Sequence, residues 1–297
     1  MSAATPAAQA WGAERDRLIG IAYRMLGDFG LAEDVVSEVA IDALQREREH
    51  ADPVRSWPAL LTTICVRRSV DRVRALVATR EDYPGPWLPE PVATSRLPED
   101  VVASRELLSV ALLHLAEQLT PEARAAVVLH RAFGMPAVEI GRILGRTSAA
   151  VRQLISRAER RLRIDPDAAP PPSLDRTLLL RLMTAIEEGD VSDVVRLFAP
   201  DAVLWADGGG RVRSALNPVF SADRIARFFV RVLQKAAASK PRQPVGATLI
   251  DVNGEPAIAL RHNGRRDVLT IESGVDGLIR GVRQIANPDK LGRAFAL

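Results

Sequence analysis

Cysteine is almost missing from this chain: Cys65 is the single one in 297 residues, which excludes an internal disulfide framework. Lysine is scarce too. Only Lys235, Lys240 and Lys290 accompany 37 arginines, the usage expected of a GC-rich coding sequence. No stretch approaches the roughly 18 uninterrupted apolar residues of a membrane span, so an integral-membrane protein is excluded. The opening MSAATPAAQAW has neither the basic flank nor the apolar run of a secretory signal, and a cytoplasmic location with no membrane partner is expected. The four histidines, His50, His114, His130 and His262, show no metal-ligand spacing, so neither a metal nor another cofactor is expected. What remains is a chain with 47% hydrophobic and 26% charged residues, long enough for two compact domains at about 150 residues each, or three if one region splits further.

The net charge of +3 hides a segmental pattern. Residues 28–52 carry eight acids against Arg46 and Arg48. Residues 55–80 carry six arginines against Asp71, and residues 140–163 carry seven against Glu159. An arginine-rich genome accounts for the residue type but not for the clustering. Two separate basic blocks suggest contact with nucleic acid at two places, and the acidic block suggests a basic protein partner.

Prolines mark the joints, at 83–98 and in PDAAPPP at 166–172, both expected to be extended connectors. In the first segment Leu18, Ile21, Ala22, Met25, Leu26 and Phe29 recur at helical spacing, as do Val35, Val36, Val39, Ala40 and Ala43. On the second of these helices Glu33, Asp34, Glu38 and Asp42 lie off the apolar stripe, facing solvent or a partner. A third helix is expected from Ser56 as cap, with Pro58 in its first turn, to about Val77, with Trp57, Leu60, Leu61 and Ile64 inward. Cys65 lies on its apolar side and reads as a core residue, while Arg67, Arg68, Arg72 and Arg74 form a phosphate-facing or plainly solvated surface.

The second segment reads as a helix over 101–117, then another capped by Thr120 and Pro121. MPAVEIGRILGRTSAAVRQLISRAERRLR follows, two helices joined by a turn at Gly145, Arg146 and Thr147. This is a helix-turn-helix pattern whose second helix presents Ser148, Arg152, Gln153, Ser156 and Arg157 outward, side chains long enough to reach base edges and phosphates in a major groove. The third segment has helical 173–189, strand signals at 202–205, 248–252, 257–261 and 268–272, and a helix over 223–238. Asn253-Gly254 and Asn263-Gly264 are hairpin turns, because both central residues need positive φ. The result is an α+β unit whose curved sheet cups helices, a cone with room for a small ligand. Its aspartates and His262 show no acid–base pairing in the sequence, which argues against catalysis.

These features together resemble one family. RLIGIAYRMLGDFGLAEDVVSEVAIDAL with SWPALLTTICVRRSVDRVR is similar to region 2 of the extracytoplasmic-function sigma factors of bacterial RNA polymerase, and the helix-turn-helix segment to their region 4. The third segment resembles a SnoaL-like domain of the nuclear-transport-factor-two superfamily. WLPEP (Trp87, Leu88, Pro89, Glu90, Pro91), DGGGR (Asp207, Gly208, Gly209, Gly210, Arg211) and NPDKL (Asn287, Pro288, Asp289, Lys290, Leu291) sharpen the likeness to the subgroup that carries this extension.

The resemblance implies a multidomain architecture. Region 2 occupies residues 1–80, a linker 81–100, all-α region 4 101–165, a second linker 166–172, and the α+β SnoaL-like cone 173–297. It implies that Glu33, Asp34, Glu38 and Asp42 dock on the β′ clamp of core RNA polymerase, with region 4 at the β flap. It implies that Arg67, Arg68, Arg72 and Arg74 open and read the −10 element, and that Arg146, Ser148, Arg152, Gln153, Ser156 and Arg157 read the −35 element. The three short motifs are implied to form a regulatory interface controlling activity in cis, without a dedicated anti-sigma factor. Three positions depart from the family: Arg67 stands where many members have Asn, Leu60 where many have Trp, with Trp57 one turn earlier, and Arg211 where the glycine-rich motif usually ends in Lys. The residues by themselves also fit a one-component repressor or activator, or a SnoaL-type enzyme with a DNA-binding tail.

Overall fold

A computed structural model describes residues 5–49, 54–103, 107–164, 174–238, 246–262 and 264–295. The 166–172 stretch, His50, Lys240 and Asn263 lie outside the described residues. The chain divides into two compact units, Met1–Glu81 with Pro98–Ala168, and Asp82–Leu97 with Ala169–Leu297.

The helical unit begins with α1 (Pro6–Leu26), α2 (Phe29–Glu49) and α3 (Trp57–Glu81). The apolar stripes of the first two helices are buried as their spacing predicts, from Leu18 to Leu26 and at Val35, Val36 and Val39. Helix α3 starts at the Ser56 cap, whose Oγ accepts from Ala59 N. Its buried stripe is Leu61, Cys65, Val66, Val70 and Val73. Trp57, Leu60 and Ile64 are only half-buried, so the predicted inward face is corrected. Leu60 and Ile64 each precede a stripe residue by one position, which turns them to its flank. Cys65 is fully buried, and desolvation pushes its thiol up to about 12.

The helix expected over 101–117 is two shorter ones, α4 (Glu99–Ala103) and α5 (Val110–Ala116). Leu107 adopts φ of 56°, and Ser109 restarts the helix by accepting from Leu112 N. Helix α6 (Pro121–Arg131) follows its Thr120 cap, then α7 (Ala137–Leu144) and α8 (Ser148–Leu162). Gly145 takes the left-handed conformation that closes α7, and Thr147 caps α8 by accepting from Ala150 N, so the turn falls at the three residues predicted.

Two buried guanidiniums tie this unit together. Arg24 donates to Gly20 O and Val101 O, each at 3.1 Å, and lies 5.4 Å from the centre of the Phe133 ring. Arg124 donates to Ala116 O at 3.0 Å, Met25 O at 2.6 Å and Glu117 Oε1 at 2.7 Å. It thereby satisfies carbonyls in the last turns of α5 and α1 at once, where a cation is favoured by the helix dipole.

The second unit carries α9 (Arg176–Glu188), α10 (Val191–Arg196), β1 (Phe198–Asp207), β2 (Val219–Phe220) and α11 (Ala222–Ala238). Strands β3 (Gly246–Val252), β4 (Glu255–His262), β5 (Arg265–Ser273) and β6 (Ile279–Ile285) follow. The sheet order is β2-β1-β6-β5-β4-β3, antiparallel except for the parallel pair β1/β6. Leu179, Leu182, Ile225 and Phe229 pack on Leu204, Ile258, Leu269 and Val282. Asn253 (φ 55°) and Gly254 (φ 78°) make the β3–β4 hairpin turn that the sequence signals. Residues 82–97 belong to this unit. Ala93 bridges Val252, and Val92 N donates to Asn253 Oδ1 while Asn253 N donates back to Val92 O, both at 2.9 Å.

Replacing Arg124 by Leu takes from Met25 O its buried donor and removes one bond each from Ala116 O, which keeps Leu119 N, and from Glu117, which keeps Arg80, a loss of about 3 kcal/mol. The variant is expected to melt about 6–12 °C lower by circular dichroism for a unit of this size, and an unchanged transition contradicts the role given to this side chain.

Candidate functional sites

On α8, Arg152, Gln153, Ser156 and Arg157 are exposed and Ser148 is half-buried, with exposed Arg146 in the turn before them. The helix buries its opposite face through Val151, Ile155, Ala158 and Leu162, which fixes the polar side chains as one outward row. Among the described residues Arg152 and Arg157 pair with no carboxylate, and Arg146 contributes only a longer-range attraction to Glu122. This surface is free to meet phosphates and base edges.

The arginines of α3 are placed differently. Arg68 Nε and a second guanidinium nitrogen each lie 2.7 Å from an oxygen of Asp42, and Arg68 also bonds Glu38. Arg72 donates to Glu38 at 3.0 Å. The acidic and basic blocks, which the charge count separates, thus neutralise one another across α2 and α3. Glu33 lies 3.9 Å from Arg15, and Asp34 is exposed. Arg67 Nε donates to Ile143 O in the last turn of α7 at 3.1 Å, and Arg74 bonds both Asp71 and Glu122 on α6. Arg80, which the sequence reading did not single out, bonds Leu26 O and Glu117. Arg67, Arg74 and Arg80 therefore join the first three helices to the later ones. The half-exposed ion pairs of Arg68, Arg72 and Arg74 are worth about 0–1 kcal/mol each, so phosphates can displace them at little cost.

In the second unit the three short motifs converge on one buried ion pair. Asp207, fully buried at the end of β1, lies 2.7 Å from Lys290 Nζ, which also donates to Leu88 O at 2.5 Å. Leu88 N donates to Asp207 Oδ2 at 2.9 Å, and Gly209 N to Oδ1 at 3.0 Å. The ammonium sits 4.1 Å from the centre of the Trp87 ring and 5.0 Å from that of Tyr83. The Tyr83 hydroxyl donates to Asp207 Oδ1 at 2.6 Å and accepts from Asn287 Nδ2 at 3.0 Å. Burial, then the bond to Asp207, pushes the Tyr83 phenol above its ordinary range and keeps it a donor.

The glycines of the second motif serve close approach as well as turning. Gly209 has φ of 57°, and a Cβ there would lie 2.2 Å from Asn287 Nδ2. Gly208 is buried, and Gly210, at the exposed edge, leaves room for Pro84. Arg211 and Asp289 form an exposed pair at 3.0 Å, beside exposed Pro288 and buried Leu291. Pro89, Glu90 and Pro91 are buried, and Glu90 lies 3.3 Å from Arg293. Tyr83, Asn253 and Arg293 were missed by sequence reasoning. Tyr83 is one of only two tyrosines, four residues before Trp87, and Asn253 had a sufficient explanation as a turn residue.

The cone holds an acid–base pair that spacing does not reveal: His262 Nε2 lies 3.1 Å from Asp267 Oδ2, which also accepts from Gln284 Nε2 at 2.7 Å. The cavity on its apolar side, lined by Met183, Ile186, Leu260 and Leu269, is about 20 Å³. That cavity by itself is water-sized.

Family models describe residues 11–79 as Sigma-70 region 2 and residues 109–162 as Sigma-70 region 4. The chain is 34% identical over 293 residues to the ECF RNA polymerase sigma factor SigJ of Mycobacterium tuberculosis, covering 93% of this chain and 90% of that one. It is 29% identical over 263 residues to the probable ECF sigma factor SigI of the same species, covering 87% and 85%. The crystal structure of M. tuberculosis SigJ superposes with a TM-score of 0.74 at 31% identity, over 94% of this chain and 96% of that one. Two sigma-specific helical regions and a sigma-factor relative aligned over nearly the whole chain set aside both the one-component regulator and the enzyme. The chain belongs to the extracytoplasmic-function sigma factors, which bind core RNA polymerase and promoter DNA to direct promoter-specific transcription initiation and are not enzymes.

Proposed function

We propose that this sigma factor is held inactive in cis by its C-terminal domain, which grips the linker between its two DNA-binding regions. The observation that carries this reading is the buried Lys290, bonded to Leu88 O and Asp207, with Tyr83 and Trp87 around it. Region 2 (1–80) and region 4 (101–165) are joined by the linker 81–100, and a second linker, 166–172, leads to the regulatory domain 173–297.

Geometry makes the linker the natural point of control. The −10 and −35 elements lie about 25 base pairs apart, or ~85 Å at about 3.4 Å per pair. A helical unit of about 150 residues has a radius of gyration of ~15 Å. It cannot set α3 and α8 on both elements while Arg67, Arg74, Arg80 and Arg124 hold it together. It must open, and residues 82–97 reach up to ~55 Å only once freed from the second unit. Control inside one chain removes the need for a dedicated anti-sigma factor, in a protein that works in the cytoplasm beside its DNA.

In the opened state Arg67, Arg68, Arg72 and Arg74 exchange protein partners for the −10 phosphates and bases, and α8 reads the −35 element through Arg146, Ser148, Arg152, Gln153, Ser156 and Arg157. Docking on the β′ clamp draws on Glu33, Asp34, Glu38 and Asp42, with region 4 at the β flap. Small separate contacts become effective together because linkage raises their local concentration.

Asp34 makes no ion pair among the described residues, so Asp34→Lys leaves the fold intact. It is expected to weaken binding to core polymerase at least tenfold by fluorescence anisotropy, and unchanged binding removes α2 from the docking surface. Lys290→Met releases the linker. With core polymerase and a promoter selected by run-off transcription on genomic DNA, it is expected to raise transcript yield severalfold. A yield at or below that of the unaltered protein contradicts control through this clamp.

A further inference from the structure

Beside the start of β5 and the end of β6 lies an open pocket of about 350 Å³, distinct from the cone. Arg265 and Arg266 line it, together with an apolar wall that includes Val212, Ala286, Leu291 and Phe295. Arg266 sits 5.1 Å from the centre of the Phe295 ring. Arg265 donates to Arg213 O at 3.4 Å, but its Nε is buried with no acceptor. Among the described residues neither arginine pairs with a carboxylate, whereas neighbouring Arg211 and Arg293 do, with Asp289 and Glu90. Two uncompensated guanidiniums therefore share one pocket, and one holds a desolvated donor that costs free energy until an acceptor reaches it.

We propose that this pocket binds a small organic anion with an apolar body. A guanidinium fork matches a carboxylate, sulfonate or phosphate oxygen pair, and Phe295 and Leu291 match a ring or short acyl chain. The volume lies at the low end of ligand pockets, about 300–1,000 Å³, which limits the body to one or two rings. A bare phosphate would use the arginines and leave the apolar wall unused. Leu291 adjoins Lys290, so an occupant shares a wall with the linker clamp, but binding needs the pocket alone.

The test is a fluorescence titration of the full-length protein with 5-dimethylamino-1-naphthalenesulfonate, a two-ring aromatic anion within that size limit. Saturable binding is expected, displaced by 2-naphthoate and at least tenfold less well by neutral 2-naphthamide or by inorganic phosphate. Arg265→Gln and Arg266→Gln, at positions not fully buried, are expected to raise the Kd at least tenfold together while leaving the melting curve unchanged, and Phe295→Ala to raise it severalfold. Equal competition by the amide makes the pocket a plain apolar groove, and equal competition by phosphate makes it a plain cationic patch. Either result overturns the proposal, as does a Kd within twofold in the double variant or the absence of saturable binding.

Discussion

A lysine ammonium and an aspartate carboxylate cannot stay buried unless nearly every proton and lone pair is satisfied, and the C-terminal unit is arranged around meeting that demand for Lys290 and Asp207. Apart from Gly209 N, the remaining partners come from the linker: Leu88 supplies an N–H and a carbonyl, Tyr83 a hydroxyl, and Trp87 a ring face. Breaking such a pair costs about 3–5 kcal/mol because the surviving charge is left uncompensated. The linker is thus tied to the sheet by the requirement that a buried pair be complete, a stronger constraint than apolar contact alone.

In the helical unit the joints are of two strengths. Arg24 and Arg124 are buried and saturated with carbonyl acceptors, whereas the pairs made by Arg68, Arg72 and Arg74 are half-exposed and individually weak. A polyanion can therefore displace the second set one at a time, while the first set yields only when helices separate. Under the proposed control in cis, with the chain shut alone and open on its polymerase, this division is an advantage. The partner's binding energy can be directed at a few buried bonds rather than spread over many surface ones.

The sequence made the local structure legible wherever a cap or turn has its own chemistry. Ser56 before Pro58, Thr120 before Pro121, Gly145 before Thr147 and Asn253 before Gly254 each mark a boundary that the fold respects. Strand β6 was not legible, because IRGVRQI alternates poorly and becomes a strand through pairing on both sides with β1 and β5. Helix α10 is too short to show a period. The opposition of Glu38 and Asp42 to Arg68 and Arg72 was hidden for a different reason: a charge count along the chain registers sign and density but not which helix face meets which. The motifs at 87–91, 207–211 and 287–291 were recognisable as a set, and the buried ion pair that unites them is a tertiary fact.

Under the proposed control in cis, the clamp at Lys290 keeps region 2 and region 4 together. It is tested most directly by electron–electron distance measurement between spin labels at exposed Ile41 on α2 and Ala149 on α8, introduced as cysteines. The native thiol at Cys65 is fully buried and does not compete for label. One short distance is expected in the free protein and a second, longer population in Lys290→Met, matching the distance found when core polymerase is bound. A distribution in Lys290→Met identical to that of the unaltered protein, with core polymerase still able to lengthen it, contradicts the account.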